Sequence, residues 1–156
     1  MKKISLTQGK FTLVDDEDFE WLNKWKWHTI VTQDGNWYAK NTQSIYMHRL
    51  ILNIQNKPKN VYADHKNGNG LDNRRENLRI ATNQLNQANE KLSKNSTSGY
   101  KGVTWHKKNK NWNAQIMVNR KHIHIGCYQT KEEAAKAHDS VAKKHFGEFA
   151  RLNFSF

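Results

Sequence analysis

The sequence predicts an α+β chain assembled from small units, and three observations carry that reading. Short alternating runs such as Phe11 to Val14 and Asn111 to Asn119 recur between Gly-, Asn- and Asp-rich turns, the mark of strands. Helix signals are brief except from Thr130 to Gly147, where T-x-x-E (Thr130, Glu133) forms a capping box and Gly147 supplies a stop. Hydrophobic residues make up 36% of 156 residues, too few for one large core, while six Trp offer bulky anchors for small ones.

Taken in order, residues 1–46 read as a small α+β unit. "KISL" and "FTLV" are short strands, and "DDEDFEWLNKW" is a helix with Asp15 as N-cap and acidic residues in its first turn. "WHTIVTQDGNWYAK" is a hairpin turning at Asp34-Gly35, and the Trp residues here read as core. "IYMHRLILN" is a short helical stretch ahead of the lone proline, Pro58. Val61 to His65 reads as a strand, "KNGNGLDN" as a tight loop, and "NLRIA" as a returning strand. Thr82 is placed to cap a helix from Asn83 to about Lys91, with Leu85, Ala88 and Leu92 on its packed face. A polar linker over 93–98 follows, and the last unit, 99–156, holds three strand patterns and the capped helix, with Ala134, Ala137 and Val141 on one face.

Charge points to a polyanion. The net charge is +12 and the pI about 9.8, the footprint of nucleic-acid binding. The excess is uneven: residues 1–39 hold five Lys/Arg against six Asp/Glu, residues 40–94 ten against four, and residues 95–156 eleven against four. Phosphate contact is therefore expected beyond residue 39. One Cys, Cys127, excludes an internal disulfide framework and a Cys-based zinc site, and fits a reducing cytoplasm. No secretory leader or membrane span is expected. Abundant Lys and Asn, whose codons are AT-rich, suggest a bacterial host or a phage.

The stretch "YADHKNGNGLDNRRENLRIATNQLNQANEK" (62–91) carries the chemistry. An isolated Asp-His pair is an ordinary polar turn. Here it is followed by a loop, a returning strand and a helix bearing regularly spaced Asn. A hard divalent cation takes oxygen ligands and keeps several waters beside a substrate phosphate. Asp64 offers one anionic oxygen and a helix Asn a neutral one, so a cation bound there keeps net positive charge. His65 is a base that accepts a proton from water near neutral pH. Adjacent strand residues face opposite ways, so the strand must twist or end at His65.

This stretch, with the "MHRLI" lead-in at Met47 to Ile51, resembles the HNH nuclease motif, the ββα-metal fold of phage intron homing endonucleases. The resemblance implies metal binding by Asp64, general-base action by His65, and a central Asn77 tying the loop to the strands by hydrogen bonds. It assigns the second metal ligand to Asn86, with Asn83 and Asn89 three residues either side as alternatives. Asn73 reads as a loop organiser, and Arg74 and Arg75 as contacts to DNA. The unit so defined is 47–92, and its cofactor is Mg²⁺, with Mn²⁺ or another divalent ion as alternatives.

Ser98 to Phe154, through "YKGV", "WNAQI", "IGCYQTKEEAAKAHD" and "LNF", resembles the APETALA-type DNA-binding domain of plant ethylene-response factors. The resemblance implies a three-stranded antiparallel sheet backed by one helix, its open face in the major groove of double-stranded DNA. It places Lys101, Thr104, Gln115, His122 and His124 at contact positions. Thr104, His122 and His124 stand where the plant pattern has Arg and Trp, so no target sequence transfers. Lys107, Lys108 and Lys110 occupy a hairpin loop as phosphate contacts, and Arg120 lies in the next turn. Trp105 divides evenly between DNA packing and sheet packing, and Trp112 reads as sheet packing. His122 and His124 share a strand face, but no third ligand is placed for zinc.

The expected function is a metal-dependent DNA endonuclease aimed by a sheet module. Acting on one strand per active site, a monomer would nick and a homodimer could cut both strands. No protein partner is evident. The rivals are a non-catalytic DNA-binding regulator on a degenerate HNH scaffold and a nonspecific nuclease effector.

Overall fold

The computed structural model describes residues 1–33, 35–93 and 95–154. They divide into two compact units, Met1–Asn83 and Gln84–Phe156. The boundaries expected from sequence lay at 46/47, 92/93 and 98/99; these units part at 83/84.

The first unit contains three two-stranded antiparallel ribbons. β1 (Lys2–Ser5) pairs with β2 (Phe11–Val14), β3 (Trp27–Val31) with β4 (Trp37–Asn41), and β5 (Tyr62–His65) with β6 (Leu78–Ala81). Two short helices, α1 (Asp16–Leu22) and α2 (Met47–Ile51), complete it. One core joins Ile4, Val14, Leu22, Trp27, Met47, Ile51 and Leu78, drawn from both sides of residue 46. Trp27 is buried there, its Nε1 donating to Leu22 O at 2.8 Å. Trp25 is exposed, because it lies just beyond the end of α1 rather than on a packed face. Asp15 precedes α1 but makes no side-chain cap; its carboxylate accepts from the backbone N of Arg75 at 2.7 Å. Asp34, half of the expected turn, lies outside the described residues. Gly35 beside it has φ 80°.

The β5–β6 loop is fastened to β2. Leu13 N donates to Leu71 O at 2.9 Å, Asn73 N to Leu13 O at 2.8 Å, and Thr12 Oγ1 to Leu71 O at 2.8 Å. Within the loop, Gly70 passes directly against β4: a Cβ there would collide with the Trp37 carbonyl oxygen and lie 2.6 Å from the Tyr38 ring. Gly70→Ala should therefore cost about 1–3 kcal/mol by overpacking, measured by chemical denaturation. A change under about 0.5 kcal/mol would mean the loop yields.

The second unit opens with α3 (Asn83–Ala88), whose first residue belongs to the first unit. The helix is shorter than expected: Leu85 and Ala88 pack, while Leu92 lies past its end, exposed. β7 (Val103–His106), β8 (Asn111–Val118) and β9 (Lys121–Tyr128) form an antiparallel sheet in that order. α4 (Lys131–Phe146) begins with a complete capping box between Thr130 and Glu133 and stops at Gly147. Its Ala134, Ala135, Ala142 and Phe146 pack with Val103, Ala114, Ile116 and Ile125 on one side of the sheet. Asn119 and Arg120 take φ of 51° and 62°, the two-residue turn that matches strand twist between β8 and β9. No helix among the described residues is long and apolar enough to cross a membrane.

Candidate functional site

The β5–β6 register sets the site. Asp64 faces Arg79 and His65 faces Leu78, so consecutive side chains leave the ribbon on opposite sides, and the strand ends at His65. Both are buried nonetheless, at 4% and 5% exposure. Arg79 Nε donates to Asp64 Oδ2 at 2.7 Å, an ion pair almost wholly out of water. The guanidinium holds the carboxylate from across the hairpin.

The His65 ring lies on the other side, among aromatics. Its Nε2 is 3.1 Å from Asn73 Oδ1, and Asn73 Nδ2 donates to Thr12 Oγ1 at 2.8 Å. Tyr38 lies 5.9 Å from the His65 ring and His48 packs on it edge-on at 5.1 Å. Burial pushes the His65 imidazole below its ordinary value of 6.5, against the Asn73 hydrogen bond and the Asp64 and Asp72 charges that raise it. His48 is driven lower still, by burial and then by the charges of His65 and Arg49, and its Nδ1 has no hydrogen-bond partner among the described residues.

Asn77 binds the loop at three points. Its Oδ1 accepts from Asn67 N at 3.0 Å, and its Nδ2 donates to Asp72 O at 2.7 Å and to Asn67 Oδ1 at 3.1 Å. Asn67 in turn donates to Asp72 Oδ2 at 2.9 Å. The two arginines expected on DNA are engaged within the fold. Arg74 grips Asp72 through Nε and Nη2, each at 2.8 Å, and reaches Glu76 at 2.6 Å. Arg75 grips Asp18 at 2.8 and 2.7 Å and Glu17 at 3.0 Å. Asn83 donates to the Tyr62 hydroxyl at 3.1 Å. Asn86 lies on α3 within the second unit.

Asp64, through its carboxylate, is the notable oxygen donor here, and no group of three or more His, Cys, Asp or Glu side chains able to hold a metal occurs among the described residues. Sparse oxygen donation is how a water-retaining ion such as Mg²⁺ is held beside phosphate.

In the second unit the face of the sheet away from α4 presents Thr104, Asn113, Gln115, Met117, His122, His124 and Cys127. The cross-strand pairs Thr104–Asn113, Gln115–His124, Met117–His122 and Asn113–Cys127 put them together. Cys127 Sγ donates to Asn113 Oδ1 at 3.1 Å and lies 3.7 Å from His124 Nε2. Lys107, Lys108, Lys110 and Arg120 are exposed in the two hairpin loops. Trp105 shares the parity of Val103, on the α4 side, and meets Trp112 edge-on at 5.0 Å while 43% exposed. Lys101 turns inward: its Nζ donates to Ala88 O at 2.6 Å, Glu90 O at 3.0 Å and Gln87 O at 3.4 Å.

Sequence reasoning passed over Arg79 and His48. Arg79 is findable once β5 and β6 are aligned, since Asp64 and Arg79 are directly opposed. His48 sits in the quoted "MHRLI", but nothing local marks its ring as a neighbour of His65.

Residues 46–88 match the HNH endonuclease family, and residues 98–148 match the AP2 domain. An uncharacterized HNH endonuclease of Acanthamoeba polyphaga mimivirus is 33% identical over 149 residues, covering 94% of this chain and 76% of the relative. Protein 3.8 of Escherichia phage T7 is 34% identical over 95 residues, covering 61% of this chain and 78% of the relative. An ethylene-responsive transcription factor of Arabidopsis thaliana is 41% identical over 59 residues, covering 36% of this chain and 14% of that protein. A nuclease region and a DNA-binding domain in one chain make DNA its partner. The chain belongs to the HNH endonuclease family and carries an AP2 domain toward its C-terminal end.

Proposed function

We propose that the protein hydrolyses DNA phosphodiester bonds with His65 as general base and Asp64 as the protein's carboxylate ligand to a single divalent ion, Mg²⁺ by donor chemistry. The observation that carries this is a buried carboxylate braced by Arg79 followed in the chain by a buried imidazole braced by Asn73. HNH endonucleases generally use a divalent metal, which when bound supplies positive charge against the scissile phosphate and the leaving oxygen.

The chain's own residues do the rest. Burial keeps His65 neutral and ready to accept a proton from water near neutral pH. Asn73 and the edge-on His48 limit the ring's orientation. Asn77 closes the loop so that Asp72 and Asn73 hold their places. The second metal ligand remains assigned to Asn86 by resemblance. In the AP2 domain the open sheet face bears Thr104, Gln115, His122 and His124 for base edges. Lys107, Lys108, Lys110 and Arg120 serve phosphates. Arg74 and Arg75, paired with Asp72 and Asp18 yet still partly exposed, stay as candidate phosphate contacts, and Lys101 is turned onto backbone carbonyls.

Incubating plasmid DNA with the full chain in Mg²⁺, with and without chelator, tests the reading. Metal-dependent nicking is expected, becoming double-strand cutting only if the chain dimerises on its target. No cleavage in any divalent ion would favour a DNA-binding regulator, and scattered fragment ends would reject specific targeting. For the loop lysines, each Ala substitution should flatten the slope of log K against log salt by about 0.9. Unchanged slopes in a filter-binding series would remove them from the interface.

A further inference from the structure

The position that the plant pattern assigns to DNA is, in this chain, built into the nuclease. Helix α3 is only six residues long, and a helix end leaves its last carbonyls without internal partners. Lys101 adds a donor here: its ammonium reaches Ala88 O, Glu90 O just past the helix, and Gln87 O, which also accepts from Glu90 N, and Arg151 N adds a second donor to Ala88 O at 3.1 Å. The lysine's own backbone is fixed. Lys101 N donates to Asn153 Oδ1 at 2.6 Å, and Asn153 Nδ2 donates to Lys101 O at 3.1 Å and to the buried Asp139 at 2.8 Å. The strut therefore runs from α4 through Asn153 and Lys101 to the end of α3. Leu85 and Ala88 of α3 pack with Ile116, Ala142 and Phe146, and at the helix start Gln84 Oε1 accepts from Asn119 N at 3.2 Å.

We propose that Lys101 is a positioning residue of the nuclease: its ammonium closes α3, the helix that carries Asn86, so that the AP2 domain holds the catalytic helix as well as recognising DNA. This rests on the assignment of Asn86 under the proposed function. Burial lowers the Lys101 pKa to about 8, with Glu90 and Asp139 raising it and Arg151 lowering it, so at neutral pH the group is still an ammonium.

Amine labelling of the wild-type full chain, read residue by residue with and without DNA, separates a strut from a phosphate contact without any substitution. Lys101 should label at the same rate in both states, whereas Lys107, Lys108 and Lys110 should be protected by DNA. Protection of Lys101 that appears only with DNA overturns the proposal. Lys101→Met keeps the aliphatic stem and removes the donors. It should speed amide exchange at Asn89 and Glu90, leave DNA affinity and its salt slope unchanged, and lower the single-turnover cleavage rate about tenfold or more, with Lys101→Arg restoring part of it. A salt slope flattened by about 0.9 with unchanged exchange contradicts the strut. Labelling and exchange need no cleavage, so they stand or fall apart from the nuclease reading.

Discussion

Replacing His65 with Ala should lower the single-turnover cleavage rate by about 10²–10⁴-fold, the span that a lost general base covers, while the dissociation constant for DNA stays where it was. The ring is buried, and its Nε2 meets Asn73 rather than a charged surface. Because burial holds its pKa below 6.5, the base is unprotonated at neutral pH, and activity should fall only on acidification below that value. A rate that drops less than about tenfold, or an acid limb above pH 6.5 in the wild type, would remove His65 from the role of base.

The second large effect concerns stability. Arg79 and Asp64 form an ion pair 9% and 5% exposed in their side chains. Removing one partner leaves an unbalanced buried charge, so Arg79→Met should destabilise the first unit by about 3–5 kcal/mol. Denaturant unfolding in chelator, followed by amide exchange of β5 and β6, measures it. Pairing Arg79→Met with Asp64→Leu should recover most of that loss, since a buried pair replaced by apolar groups of similar volume is often neutral. Equal destabilisation in the single and double variants would show that the pair's charge balance is not what matters.

What was legible in the sequence was local. Phe11 to Val14 forms β2 where the alternation placed it, Thr130 and Glu133 make both capping-box hydrogen bonds, and Gly147 stops α4. The two resemblances found the HNH and AP2 regions because turn and cap residues at set spacings encode those short motifs. What escaped were contacts between residues far apart in the chain. Arg75 pairs with Asp18 across 57 positions, and Asn73 meets Thr12 across 61. A basic residue read alone looks free for phosphate; only the fold reveals its acidic partner. Lys101 shows the same limit: matched to a pattern from plant factors, it points to DNA, but the carbonyls it meets lie at and just past the end of α3, before the AP2 match begins at residue 98. Past Ala88 the last turn closes on Asn89 N and Glu90 N, and Leu92 lies beyond it, exposed.

The most direct test of the central claim is the metal dependence of cleavage. Single-turnover cleavage of one mapped duplex should be followed as Mg²⁺ is titrated into the wild type and into Asp64→Asn at equal DNA occupancy. The wild-type rate should saturate with Mg²⁺ and vanish in chelator, and the variant, its fold checked by amide exchange of β5 and β6, should need about tenfold more metal, as expected when a water-retaining ion loses its one anionic protein ligand. Superimposable Mg²⁺ curves for the two chains, or cleavage that persists in chelator, would contradict a cation held by Asp64.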